Sequence, residues 1–192
     1  MVANSSSGYV SPETYLSGEE NSPEKHEYRD GQIYAMAGAS NAHVLIAVNF
    51  ATALRTHLRG KSCLTFASDT KVHIAAINTY YYPDVVVSCD ERDPSFSNFV
   101  RYPRLIVEVL SDTTEAFDRG DKFADYRQIE TLQEYVLFSQ KRMSVDVFRR
   151  NPADQWVLTP YTNNTDIQLA SIDFQSAIAT LYEDVTFMGH SS

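Results

Sequence analysis

The sequence has few of the residues that stabilise a chain through covalent cross-links or metal clusters. Its 192 residues include two cysteines, Cys63 and Cys89, which form no CxxC pair. This scarcity excludes a disulfide scaffold and a zinc ribbon, so we expect each cysteine to be a small buried hydrophobe in a reducing compartment. The sequence also contains no phosphate-binding GxxxxGK[ST] loop, no GxGxxG, no GxSxG and no HExxH. These absences exclude the common nucleotide-binding, hydrolase and metalloprotease motifs.

Long apolar runs and positive charge are also scarce. No run approaches the roughly 18 apolar residues of a membrane span, and the first ten residues lack the charged and apolar blocks of a signal peptide. We therefore expect a cytoplasmic protein with no membrane partner. The 16 lysines and arginines face 25 acids, for a net charge of −9. This balance argues against a non-specific nucleic-acid coat protein, but it allows an enzyme that meets nucleic acid through a local basic patch and a metal ion.

The composition that remains is that of an ordinary globular domain. Hydrophobic residues make up 43% of the chain and charged residues 21%, both close to globular averages. Residues 1–10 are rich in serine and glycine and are predicted to form a flexible N-terminal arm. Residues 11–192 contain no linker or repeat, and their length fits a single domain.

Caps, turns and apolar periods predict the helices and strands. Ser11-Pro12-Glu13 is typical of a helix start, and Ser40 and Gly60 bound a predicted helix over 41–59. The apolar stripe predicted to face the core from this helix consists of Val44, Ala47, Val48, Ala51, Leu54 and Leu58. An Asp30-Gly31 turn predicts a hairpin. Further helices are predicted over 118–128 and 176–182, and strands over 62–67, 71–74, 84–88, 104–110, 134–139, 143–149, 155–161 and 167–169. This order predicts an α/β (α+β) fold, with a mixed β-sheet flanked by helices.

Two strand-like runs contain a carboxylate where a buried strand would avoid one. Asp84 stands before three valines in Tyr80-Tyr81-Tyr82-Pro83-Asp84, and Glu108 lies at the centre of the apolar run 105–110. A continuous apolar run predicts a strand covered on both faces, so Glu108 needs a cation, a metal ion or several donors nearby. Taken singly, each acid fits a structural role, as a turn cap or an ion-pair partner. Together, two carboxylates on adjacent strands can hold a hard divalent cation.

These residues carry a resemblance to a nuclease family. Pro83-Asp84, followed after 23 residues by Glu108-Val109-Leu110, resembles the PD-(D/E)XK nuclease pattern. The chain is more closely similar to the bacterial Uma-type family of predicted restriction endonucleases, from about Pro12 to Tyr182. The segments that carry this likeness are Lys25-His26-Glu27-Tyr28-Arg29-Asp30-Gly31, Met36-Ala37-Gly38 to His43, Tyr81 to Val87, Val107 to Ser111, Asp118 to Tyr126, and Glu134 to Leu137.

The resemblance implies a restriction-endonuclease-like core with a Mg²⁺ site, for which Mn²⁺ can substitute. Asp84 and Glu108 would be metal ligands, assisted by the main-chain carbonyl of Val109. The lysine expected two residues after Glu108 is replaced by Leu110. That lysine normally orients the attacking water and stabilises charge on the phosphate. Catalysis would therefore need a replacement for it from elsewhere in the chain.

Several residues could complete the site. Lys122 is the candidate replacement for the lysine, the alternative being an i, i+4 pair with Asp118 on a solvated helix face. Lys71 is a second candidate. Glu27 could be a third acid near the metal, or an exposed hairpin residue facing Arg29 or Lys25. A lone histidine at a helix start, His43, is either structural or in contact with the site.

Three functions are compatible with the sequence. The first is a metal-dependent DNA endonuclease in which Asp84, Glu108 and Lys122 are catalytic. The second is a catalytically inactive nuclease-fold module that binds nucleic acid or a partner protein. The third is an acidic structural domain whose carboxylates pair internally. A homodimer is expected with the first, since cutting both DNA strands requires two sites. The basic pairs Arg101 with Arg104, Lys141 with Arg142, and Arg149 with Arg150 are either phosphate contacts or solvated surface.

Overall fold

A computed structural model describes residues 8–187 and contains five α-helices and thirteen strands in that part of the chain. The helices are α1 (Pro12–Glu19), α2 (Asn41–His57), α3 (Glu115–Arg119), α4 (Asp121–Tyr126) and α5 (Ile178–Leu181). The strands are β1 (His26–Arg29), β2 (Gln32–Ala35), β3 (Leu64–Ala67), β4 (Lys71–Ile74), β5 (Thr79–Tyr81), β6 (Val85–Ser88), β7 (Phe99–Val100), β8 (Pro103–Leu110), β9 (Glu134–Ser139), β10 (Ser144–Arg150), β11 (Trp156–Thr162), β12 (Asp166–Leu169) and β13 (Phe174–Ala177).

Two large sheets form the scaffold. The first has six strands in the order β11-β10-β9-β8-β6-β3, in which β8 and β9 are parallel and the other neighbours antiparallel. The second has five strands in the order β2-β1-β5-β4-β7, and β12 with β13 forms a separate hairpin. The predicted α+β fold, a mixed sheet with flanking helices, is confirmed.

Apolar side chains cover both faces of the six-stranded sheet. Val107 and Val109 pack in one core with Phe50 of α2, whereas Ile106 and Leu110 pack in a second core that includes residues of the five-stranded sheet and of α4. Successive residues of a strand point to opposite faces, which is why the run 105–110 shows no alternation of apolar and polar residues. Its period places Glu108 on the face of Ile106 and Leu110, toward the second core.

Helix α2 begins after the Ser40 cap as predicted, because the Ser40 hydroxyl accepts a hydrogen bond from the His43 amide at 3.1 Å. The predicted apolar stripe is wrong at two positions. Val44 and Val48 are 48% and 53% exposed. The buried row on this helix is Ile46, Phe50 and Leu54, since residues four apart stack along one face and these longer side chains reach the sheet.

The predicted helix over 118–128 is wrong in its extent, because the structure has two shorter helices there. Gly120 separates α3 from α4, with φ −109° and ψ −102°. A Cβ at this position would lie 3.0 Å from the Ala116 carbonyl oxygen, so the absence of a side chain allows the close approach. The break redirects α4, which buries Lys122 and Tyr126.

The tyrosine-rich run before Asp84 crosses from one sheet to the other. Its first part forms β5 of the five-stranded sheet, and the valines after Asp84 form β6 of the six-stranded sheet. Asp84 therefore lies where the chain passes between the two sheets. The short strands β7 and β13 lay outside the predicted set, and part of β13 was predicted as the start of the closing helix.

Cys63 and Cys89 form a disulfide bond, with Cα atoms 4.0 Å apart. The expectation of two unpartnered cysteines is wrong. Antiparallel pairing of β3 with β6 sets Leu64 opposite Ser88, so the next residue outward on each strand is a cysteine facing the other. The number of cysteines therefore no longer supports the prediction of a reducing compartment.

The N-terminal segment is anchored at Val10. The Val10 amide donates to the Gly31 carbonyl at 3.1 Å, and the Tyr28 hydroxyl donates to the Val10 carbonyl at 2.9 Å. The rest of the predicted arm, residues 1–7, lies outside the described residues. Among the helices of residues 8–187, none is both long and apolar enough to cross a membrane.

Candidate active site

Glu108 is buried at the centre of the six-stranded sheet, with its side chain 6% exposed. It pairs with Leu137 of β9. Its Oε1 accepts a hydrogen bond from the Tyr126 hydroxyl at 3.1 Å and lies 2.9 Å from Lys122 Nζ. Burial raises the pKa of Glu108 well above its usual value, opposed by Lys122 and reinforced by the nearby Asp118 and Asp84.

Lys122 extends from α4 into a cluster of carboxylates. Its Nζ lies 2.9 Å from Glu108 Oε1, 3.0 Å from Glu27 Oε1 and 3.6 Å from Asp118 Oδ1. Burial alone would lower the pKa of Lys122, but the attraction of Glu108 and Glu27 outweighs it, so that the pKa is raised well above normal. The ammonium is therefore charged. The i, i+4 contact with Asp118 exists, but both side chains are buried rather than on a solvated face.

Asp84 is the most accessible acid of this group, with its side chain 23% exposed. Its Oδ2 accepts a hydrogen bond from the Val109 amide at 2.7 Å, and its Oδ1 lies 2.7 Å from His43 Nε2. The first contact ties Asp84 to the backbone residue that follows Glu108. The two predicted acids are thereby brought to adjacent strands at one place.

Glu27 is buried on β1 and accepts a hydrogen bond from the Tyr82 amide at 3.3 Å. The alternative of an exposed residue facing Arg29 or Lys25 is not observed. Lys25 instead pairs with Asp69, and Arg29 Nη2 lies 3.4 Å from Asp125 Oδ2. In this geometry Glu27 is a partner of Lys122, and its role as a metal ligand remains a prediction.

The cluster holds more acid than base. One lysine serves three carboxylates within 3.6 Å, namely Glu27, Glu108 and Asp118, and Asp84 raises the pKa of Glu108 and Asp118 further. The largest cause of the raised pKa of Asp118 is again burial. Excess negative charge in a low-dielectric interior is costly unless a proton or a cation is bound.

The donor chemistry fits a magnesium-type ion held by few protein ligands. Within residues 8–187, no three His, Cys, Asp or Glu side chains are placed to hold a metal ion together. Mg²⁺ prefers oxygen ligands and usually keeps several waters while binding one or two carboxylates. Asp84 and Glu108, with the Val109 carbonyl, match that pattern.

The other predicted cations lie in structural contacts. Lys71 Nζ lies 5.0 Å from the centre of the Tyr82 ring, and within residues 8–187 it forms no ion pair with Asp84 or Glu108. Lys141 pairs with Asp112 at 2.6 Å. Arg149 binds Glu134, and Arg150 donates to main-chain carbonyls. Lys141, Arg149 and Arg150 are therefore engaged in contacts within the fold.

Tyr126 also belongs to this cluster, although it is not among the site residues predicted above, because its hydroxyl donates to Glu108 Oε1 at 3.1 Å. A signal was available, because residues four apart lie on one helix face. Tyr126 therefore follows Lys122 into the same buried cluster.

Residues 12–181 match the model of the Uma2 family, described as "Putative restriction endonuclease". The chain belongs to this family. Two similar proteins of Synechocystis sp. (strain ATCC 27184 / PCC 6803 / Kazusa), both described as uncharacterized, are slr1290 and sll1609. The first is 42% identical over 190 residues, 97% of this chain and 100% of the relative. The second is 38% identical over 149 residues, 76% of this chain and 83% of the relative.

The fold of this Uma2 member is also found in a solved structure. A crystal structure from Anabaena variabilis ATCC 29413, described as "a putative nuclease belonging to DUF820", superposes with a TM-score of 0.73. The match covers 90% of this chain and 97% of the other at 16% sequence identity. It establishes a shared fold, consistent with the predicted restriction-endonuclease-like core.

Proposed function

We propose that this protein is a Mg²⁺-dependent endonuclease that hydrolyses phosphodiester bonds of DNA. The observation that carries the proposal is the position of Lys122. Its ammonium lies 2.9 Å from Glu108 Oε1, although it belongs to a different element from the strand that lacks a lysine at Leu110. Helix α4 thus supplies a cation beside the acid, and family membership supports the same class of reaction.

Each residue has a distinct task in this proposal. Asp84 and Glu108 bind the metal ion, with the Val109 carbonyl as a further ligand. When bound, the ion supplies Lewis-acid polarisation of the phosphate and a water of lowered pKa. Lys122 orients that water and stabilises the negative charge that develops on the phosphate. Glu27 helps to hold the Lys122 ammonium, since its Oε1 lies 3.0 Å from Nζ.

Tyr126 restrains Glu108 through its hydroxyl. The Tyr126 hydroxyl and Lys122 Nζ both contact Oε1, so Oε2 is the oxygen that we assign to the ion. A restrained carboxylate loses less conformational entropy on binding an ion.

The test is cleavage of supercoiled plasmid and single-stranded DNA by the purified protein with Mg²⁺, Mn²⁺ or EDTA. Asp84→Asn and Glu108→Gln should each reduce metal-dependent cleavage by about 100-fold or more, since each removes a charged ligand. Asp121→Asn is the matched control, because Asp121 is an exposed acid next to Lys122 and loses the same charge. Analysis of mass in solution would test the expected homodimer.

Two results would contradict the proposal. Cleavage that persists in both variants would place the activity elsewhere or in a contaminant. A folded wild-type protein that cuts neither DNA with either ion would favour the non-catalytic module, and DNA binding would then be measured directly.

A further inference from the structure

His43 touches the candidate site from an element that carries none of its acids. It lies in the first turn of α2, and its Nε2 is 2.7 Å from Asp84 Oδ1. The imidazole is 16% exposed, so this contact is largely shielded from water. A hydrogen bond at this distance to a carboxylate is charge-assisted and strong.

The fold fixes the position of His43 through its backbone. The Ser40 hydroxyl caps α2 by accepting from the His43 amide at 3.1 Å, and it donates to Gln140 Oε1 at 2.6 Å. Gln140 belongs to the turn that joins β9 to β10. The first turn of α2 is therefore held both by its own cap and by a residue of the β9–β10 turn, so the imidazole lies on a rigid support.

Asp84 is held at both oxygens by donors from separate elements. The Val109 amide binds Oδ2 and His43 binds Oδ1. With both contacts the plane of the carboxylate is fixed, whereas with the amide alone the group can rotate about its last torsion. Partners that orient a metal-binding side chain in this way commonly contribute 10–100-fold to metal affinity.

We propose that His43 is a positioning residue, whose Nε2–H orients Asp84 for metal binding. This inference rests on the proposed function, because it concerns the same Asp84. His43 itself is not a ligand here, since the nitrogen that faces the site is the one that donates to the carboxylate. Its action is through Asp84 and requires only that the donor be present.

The test measures Mn²⁺ affinity by calorimetric titration of the full chain, in addition to cleavage. His43→Leu removes the donor and should weaken Mn²⁺ binding about 10–100-fold. His43→Gln places an amide N–H near the position of Nε2 and should retain binding close to that of the wild type. Thermal unfolding without metal shows whether each variant is folded. If His43→Leu folds poorly, His43→Asn provides a second variant, polar but too short to reach Asp84.

A double-mutant cycle separates positioning from a general structural effect. In an Asp84→Asn background, His43→Leu should cause no further loss of Mn²⁺ affinity, because the residue through which it acts has been altered.

The inference is overturned if folded His43→Leu binds Mn²⁺ as tightly as the wild type, or if His43→Gln loses as much affinity as His43→Leu. If the wild type cuts DNA and binds Mn²⁺, and His43→Leu binds Mn²⁺ with the same affinity, only this inference is overturned and the proposed function stands. Wild-type protein that neither binds Mn²⁺ nor cuts DNA would overturn the proposed function and, with it, this inference.

Discussion

Two buried glutamates on neighbouring strands of the six-stranded sheet have opposite surroundings. Glu134 of β9 is fully buried, and its oxygens accept hydrogen bonds from Arg149 Nε at 2.6 Å and from the amides of Ala170 and Ser171 at 3.1 Å each. Glu108 of β8 shares Lys122 with two other carboxylates, Glu27 and Asp118. Both glutamates are therefore buried. They differ in the number of donors and cations that surround each carboxylate.

The difference separates a structural acid from one available for binding. Glu134 joins β9 to β10 and to the turn at Ala170–Ile172, and its donors leave no need for another ion. Glu108 lies among uncompensated charge, which a cation would stabilise. Variants at these two positions should consequently respond in opposite directions.

The largest effect is expected from Lys122→Met, which leaves three acids around an apolar side chain. Removing one partner of a buried ion pair typically costs about 3–5 kcal/mol. The free energy of unfolding, measured by urea denaturation at neutral pH, should fall by this amount. The loss should shrink toward acid pH, because the carboxylates then take up protons. A loss that is independent of pH would indicate a packing defect instead.

Glu134→Gln should also destabilise, by about 3 kcal/mol, because an amide NH₂ cannot accept from the donors that surround it. For a chain of this size, the melting temperature should fall by about 6–12 °C. Thermal unfolding followed by circular dichroism would measure the change. Unchanged stability in Glu134→Gln would remove the contrast between the two glutamates.

A smaller effect should come from the metal ion itself. At an ion concentration of about ten times Kd, binding to the folded state adds about 1.4 kcal/mol. Mg²⁺ should therefore raise the melting temperature of the wild type and of Asp121→Asn by about 3–6 °C. Asp84→Asn should show no such rise. An equal rise in all three proteins would place the ion elsewhere.

The smallest change is expected from Glu108→Gln without metal, and its sign sharpens the comparison. Since the pKa of Glu108 is raised in the folded state, the folded protein binds more protons than the unfolded chain above pH 4.5. Its stability therefore falls as pH rises through that range. The free energy of unfolding of Glu108→Gln should match that of the wild type near pH 4 and exceed it at pH 7. A variant less stable than the wild type at pH 7 would instead make Glu108 a structural acid like Glu134.

The position of the two acids beside or within buried strands could be predicted from the sequence, because it follows from the pattern of apolar residues along each strand. Asp84 and Glu108 interrupt apolar runs, and a run without alternation predicts a strand buried on both faces. The two acids lie near each other because β6 pairs with β8. The spacing in the sequence favoured adjacent strands, but it did not give their register. Lys122 was ambiguous, since an i, i+4 acid is typical of both exposed and buried helix faces.

Other features depended on tertiary contacts that local patterns do not contain. The periodicity of α2 indicated an apolar helix. Val44 and Val48 are nevertheless exposed, because the face of α2 that packs against the sheet is the one that carries Ile46, Phe50 and Leu54. The break at Gly120 reflects a close approach to Ala116. The disulfide required knowledge that β3 pairs with β6, and cysteine spacing alone cannot supply a strand register.

The disulfide has a consequence for the unfolded chain. Cys63 and Cys89 are separated by 26 residues, and the ring that they close contains β3 to β6 together with Asp84. Closing a loop of this length removes entropy from the unfolded ensemble worth about 3.5 kcal/mol in the chain-entropy model. The constraint also limits local opening of the segment that carries Asp84. In the oxidised chain the segment that carries Asp84 is thus tethered covalently at both ends, while Lys122 is held by folding alone.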